Sequence, residues 1–126
     1  MRLGFNFTLG ETAPLVRQLL ADGAIDYVEL LIDNFLAVDP DELADAFQAP
    51  VGFHIMFSKF IEGDEAELRD LGQRLRLLID RLQPLYVSDH VARFTHEGRQ
   101  LYHLAEIDYR ADYEQVRRRV ETWQQY

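Results

Sequence analysis

Two histidines close apolar runs in this sequence: His54 ends Val51-Gly52-Phe53-His54, and His90 follows Tyr86-Val87-Ser88-Asp89. Imidazoles in such positions are ligands for borderline divalent metals, and carboxylates within reach complete the shell. The carboxylates are at hand. Asp89 adjoins His90, Asp33 and Asn34 end the run Tyr27–Ile32, Glu29 lies inside that run, and Asn6 ends the first apolar stretch. The chain contains no cysteine, so any metal is held by nitrogen and oxygen, a donor set that suits iron, manganese or zinc.

Each residue also has a purely structural reading. His54 alone, among Val51, Phe53, Ile55 and Met56, reads as a satisfied core histidine. Beside His90 at the equivalent position of the next strand, metal binding becomes the better account, with Asp89 as a further ligand or a charged neighbour. A carboxylate at Glu29 is costly to bury unless paired or metal-bound, and the two readings stand level. Asp33 and Asn34 fall where a turn alone would favour them. His96 and His103 flank an expected hairpin and read as surface residues, and Lys59 as facing solvent. The Arg117-Arg118-Arg119 run, on a helix that also carries Asp112, Glu114 and Glu121, reads as a solvated face.

Strand ends are where such groups gather in parallel α/β sheets and barrels, and the chain is patterned to build one. Short apolar runs alternate with segments of helical period, the order of βαβ units. Expected strands are Arg2–Phe7, Tyr27–Ile32, Val51–Ile55 and Leu85–Asp89. Between them come a helix capped by Thr12, with Pro14 inside it and Leu15, Val16, Leu19 and Leu20 as its apolar face, then a short helix from Asp39-Pro40 to about Phe47. A long helix from about Asp64 to Leu82 follows, stopped by Pro84. Thr95 to Leu104, with Gly98 at the centre, reads as a hairpin, and Tyr113 to Gln125 as a last helix. The fold class is α/β, a TIM-type (β/α) barrel of which residues 1–126 hold about four βα units, the amino-terminal part of a single barrel domain.

Composition bounds the partners. Asp and Glu number 22 against 13 Lys and Arg, a formal charge of −9, which opposes nucleic acid and anionic membranes. The first residues carry no long apolar segment of the signal-peptide kind, and no apolar stretch approaches the roughly 18 residues of a membrane span. A cytoplasmic, soluble protein is expected.

Several segments taken together resemble one family. Leu3-Gly4-Phe5-Asn6-Phe7-Thr8-Leu9, Ile25 to Phe35, Val51 to Lys59 and Tyr86 to His90, with Phe94 to Arg99 and Leu104 to Tyr109 downstream, are similar to the MbnB-type methanobactin biosynthesis enzymes. These are multinuclear non-haem iron-dependent oxidative enzymes on a TIM-type barrel. The resemblance implies two or three irons, dioxygen as co-substrate, an MbnC-like partner protein and an MbnA-like precursor peptide. The cysteines of that peptide become oxazolone and thioamide groups that chelate copper. By position His54 and His90 match iron ligands, and Asp33, Asn34, Ser58 and Asp89 are carried over as residues lining the site. The implied chemistry places a cysteine thiolate and dioxygen on a ferrous centre with open positions.

The family's other ligands come from later strands, so the expectation is that this chain is part of a longer protein or that another chain supplies the rest. Two other readings stay open: a divalent-metal isomerase or hydrolase barrel without redox chemistry, and a non-catalytic assembly unit.

Overall fold

The computed structural model describes residues 1–7, 10–105 and 108–126, with the side chains of 102–105 and 109 left aside. Thr8, Leu9, Glu106, Ile107 and the side chain of His103, all named above, lie outside the described residues.

The elements in chain order are β1 Gly4–Phe7, α1 Ala13–Ala21, β2 Tyr27–Leu31, α2 Pro40–Ala46, β3 Val51–His54, α3 Glu65–Leu82, β4 Val87–Ser88, β5 Arg93–His96, β6 Arg99–Ala105 and α4 Tyr109–Trp123. Strands β1 to β4 form one parallel sheet in the order β1-β2-β3-β4, alternating with helices. That is the βα repeat of a TIM-type barrel, as the apolar periodicity predicts. Strands β5 and β6 make a separate antiparallel hairpin whose turn is Glu97-Gly98, both at positive φ, the form that matches strand twist.

The chain divides into two compact units, residues 1–56 with 77–89, and residues 57–76 with 90–126. In the first, one face of the sheet is apolar: Val28, Leu30 and Phe53 are fully buried, and Phe7 and Val51 nearly so. Val16 of α1, Leu43 of α2 and Leu78 of α3 belong to the same buried set. Phe47 meets Phe7 edge to face at 4.8 Å. In the second unit, Phe60, Ile61 and Leu68 form a cluster against which Val116, Val120, Trp123 and Tyr126 pack.

Several expectations are corrected. Thr12 does not cap α1 through its side chain: it is itself in the helical region, and the Ala13 amide bonds the Gly10 carbonyl at 3.1 Å. The apolar face of α1 is narrower than its spacing suggests, since Val16 is buried and Leu15 is exposed. Strand β1 begins at Gly4 rather than Arg2. Strand β2 stops at Leu31 because Ile32–Phe35 turn into a 3-10 segment. Strand β3 ends at His54, and β4 is limited to Val87–Ser88, the two residues that pair with Phe53 and His54. Helix α4 starts four residues earlier than Tyr113, at Tyr109, because the Asp108 carboxylate caps the Arg110 and Ala111 amides.

Asp39 caps α2 in the same way, accepting from the Asp41 and Glu42 amides at 2.8 and 3.3 Å. Asp39→Ala is expected to lower stability by about 1 kcal/mol, read from urea unfolding midpoints. No helix among the described residues is long and apolar enough to cross a membrane.

Candidate metal and active site

Side chains alternate across a strand, so the sheet's second face carries what the apolar face does not. Asn6 of β1, Glu29 of β2, His54 of β3 and, from β4 and the residue before it, Ser88 and Tyr86 all fall there, with Gly4 and Gly52 between them. The alternation is visible in β2, where Val28 and Leu30 are buried and Tyr27, Glu29 and Leu31 are partly exposed.

At the carboxyl end of this face, His54 Nδ1 lies 2.9 Å from Ser88 Oγ, and Ser88 Oγ lies 3.3 Å from the Phe53 carbonyl. A serine hydroxyl has one proton. When that proton goes to Phe53, Ser88 accepts from His54 Nδ1–H, and when it goes to His54, Nδ1 is the acceptor, so Ser88 orients the imidazole in either tautomer. An imidazole oriented through one ring nitrogen by a neighbouring polar group is how ligating histidines are arranged, so His54 fits a metal ligand.

A second polar layer lies one register step toward the strand starts. The Tyr86 hydroxyl donates to Glu29 Oε2 at 2.7 Å, and the Asn6 amide donates to Glu29 Oε1 at 3.3 Å. Both carboxylate oxygens are thereby held, which answers the cost of placing a charge on a partly covered sheet. The Tyr86 ring reaches Glu29 by crossing β3 at Gly52, where a Cβ would stand 2.5 Å from its Cζ. Tyr27 crosses β1 at Gly4 in the same fashion, at 2.1 Å, and its ring meets Tyr86 edge to face at 5.9 Å.

Gly52→Ala therefore drives the Tyr86 phenol off Glu29. We expect a loss of about 1–3 kcal/mol, the cost of an extra methyl in a packed site, measured by denaturant unfolding and largely relieved by adding Tyr86→Ala.

Burial first, and then the bond to Glu29, raise the Tyr86 phenol above its ordinary pKa. The folded state thus holds this proton more tightly than the unfolded chain does. Its contribution is complete below the ordinary phenol pKa of about 10 and is lost as pH rises through the raised value. In an alkaline titration of phenolate absorbance, one of the 6 tyrosines is expected to ionise after the rest, and Tyr86→Phe to remove that late step.

The remaining expected residues are dispersed. Asp33, partly buried, accepts the Met56 amide at 2.8 Å, tying the segment after β2 to the one after β3. Asn34 is exposed and lines a cavity of about 360 Å³ with Phe7, Arg17, Phe35, Glu42 and Phe47. Asp89 ends the first unit, and His90 opens the second segment of the other, both partly exposed. Ser58, buried in the second unit, accepts the Phe60 amide at 3.2 Å in a local turn. Lys59 adopts φ +52°, and its carbonyl accepts from the Glu62 and Gly63 amides. His96 is exposed at the hairpin. Among the described residues, no three His, Asp or Glu side chains gather as a metal cluster.

Tyr86 and the pairing of Ser88 with His54 escape a reading by residue type. The signal was the i, i+2 spacing of Tyr86 and Ser88 beside Gly52 and His54, two positions of one face on neighbouring strands.

A UPF0276 protein of Rhizorhabdus wittichii is 32% identical over 90 residues, covering 68% of this chain and 32% of that protein, so the chain spans about a third of that relative's length. The family model described as RiPP precursor modification enzyme MbnB/TglH/ChrH matches residues 6–126, which include both polar layers of the sheet. The chain belongs to the MbnB/TglH/ChrH family of RiPP precursor modification enzymes.

Proposed function

We propose that this chain forms part of an iron-dependent oxidoreductase that uses dioxygen to convert cysteines of an MbnA-like precursor peptide to oxazolone and thioamide groups. An MbnC-like protein is its partner in this reading, and the product chelates copper. The observation that supports it is His54 at the carboxyl end of β3, its imidazole oriented by Ser88 Oγ at 2.9 Å from Nδ1.

His54 and His90 are the residues that, on the family resemblance, would hold iron. Bound iron would supply open positions for thiolate and dioxygen and a path for electrons from the cysteine to dioxygen, which is the oxidant. The chain's own contribution is orientation. Ser88 holds the imidazole, and the apolar sheet face, with Phe53 and Leu30 fully buried, keeps strand ends from shifting. Asp33 limits movement of the segment that follows β3.

The test is elemental analysis and intact mass of the protein from its native source, followed by dioxygen uptake with a cysteine-containing precursor peptide. Iron in the purified protein, and uptake that disappears when the peptide's cysteines become serines, is the expected result. Metal without dioxygen uptake would replace this reading with an isomerase or hydrolase, and absence of both would leave an assembly unit.

A further inference from the structure

We propose that Glu29 and Tyr86 are positioning residues for His54, acting across the sheet through β4 and Ser88. The inference rests on the reading of His54 as a metal ligand. Strand β4 contributes two residues to the sheet and lies at its edge, so few ladder bonds fix the residue that orients the imidazole. Backbone bonds from Phe53 N–H to the Tyr86 carbonyl and from Ile55 N–H to the Ser88 carbonyl, both 2.9 Å, and from Leu85 N–H to the Val51 carbonyl at 2.8 Å, all run to β3 and so hold the strand along one edge.

Tyr86 supplies the missing restraint. It stands two residues before Ser88 and so points from the same face. Its phenol passes over Gly52 to the Glu29 carboxylate on β2, and Asn6 on β1 holds the other carboxylate oxygen. One run of side chains thus ties β4 to β1 directly beneath His54. The edge-to-face contact with Tyr27 blocks the Tyr86 ring from swinging aside.

A charge in this place is not explained by stability. Apolar side chains of like volume would pack the same space without a carboxylate to desolvate, and such replacements are often neutral or stabilising. What a carboxylate with two donors adds over them is direction, because a hydrogen-bonded phenol has one orientation where a packed ring has several.

The test is a double-mutant cycle on the full chain, with cobalt(II) as the metal probe and the ring-nitrogen NMR shifts of metal-free His54 as the second readout. Tyr86→Phe keeps the ring and Glu29→Gln keeps the shape, so neither depends on surviving a cavity. Each is expected to shift the tautomer balance of His54 and to weaken cobalt binding by about tenfold, the lower end for an outer-shell change. In a Ser88→Ala background neither should have a further effect, because the path is already cut. The proposal is overturned if Tyr86→Phe leaves the His54 shifts as in the wild type, or if its effect adds in full to that of Ser88→Ala. Native-length wild-type protein, with any chain that co-purifies, that binds no cobalt would sink the ligand reading of His54, while the tautomer shifts would still decide the role of Glu29 and Tyr86.

Discussion

Alanine in place of Phe53 is expected to lower the unfolding free energy by about 3–5 kcal/mol, the range for emptying a fully enclosed aromatic site. Phe53 is 0% exposed and stands in register between Leu30 on β2 and Val87 on β4, so its ring touches the middle of the sheet. A single domain has about 5–15 kcal/mol in total, so the loss is a large fraction of it. Urea unfolding should show a lower midpoint with an unchanged slope. Phe5→Ala, at a side chain 50% exposed on edge strand β1, is the control and should cost much less. A Phe53→Ala loss under about 1 kcal/mol would mean that this sheet face is not closely packed.

His54→Ala has the opposite profile. Its imidazole is partly exposed, and its bond to Ser88 is an ordinary hydrogen bond, so stability should fall by only about 1 kcal/mol. Iron content and cysteine conversion, by contrast, should fall beyond the roughly 10–100-fold that outer-shell changes cause. Both are measured on the protein from its native source, together with any chain that co-purifies. His96→Ala, at the exposed hairpin, should change neither. Iron content unchanged in His54→Ala would end the proposed function, whatever the activity does.

Much of the fold was legible because the period of apolar residues is a local signal. Leu68, Leu71, Leu75, Leu78 and Leu82 announce α3, and the dense run Tyr27 to Leu31 announces β2. Boundaries were less so, since they turn on individual bonds. Asp108 extends α4 to Tyr109, and Thr12, a residue of the right type, does not cap α1. Arg119 shows the same limit. Its neighbour Arg117 pairs with Glu114 and Glu121 on an exposed face, as a charge run suggests, but Arg119 turns inward and donates to the carbonyls of Phe60 and Gly63. Nothing in three consecutive arginines tells them apart. For the site, His54 was readable as a residue type at a strand end. Glu29 was left between ligand and pair partner, because its answer lies in Tyr86, 57 residues away in the chain, and in the empty space over Gly52.

The crossings of Tyr27 over Gly4 and of Tyr86 over Gly52 also bear on descent. A glycine and the tyrosine above it form one inherited unit, since a side chain gained at position 52 leaves no room for the ring of 86, and a ring lost at 86 leaves the glycine without purpose. Lineages should therefore alter the two positions together or not at all, and a swap that moves only one of them between relatives should fail where the paired swap succeeds.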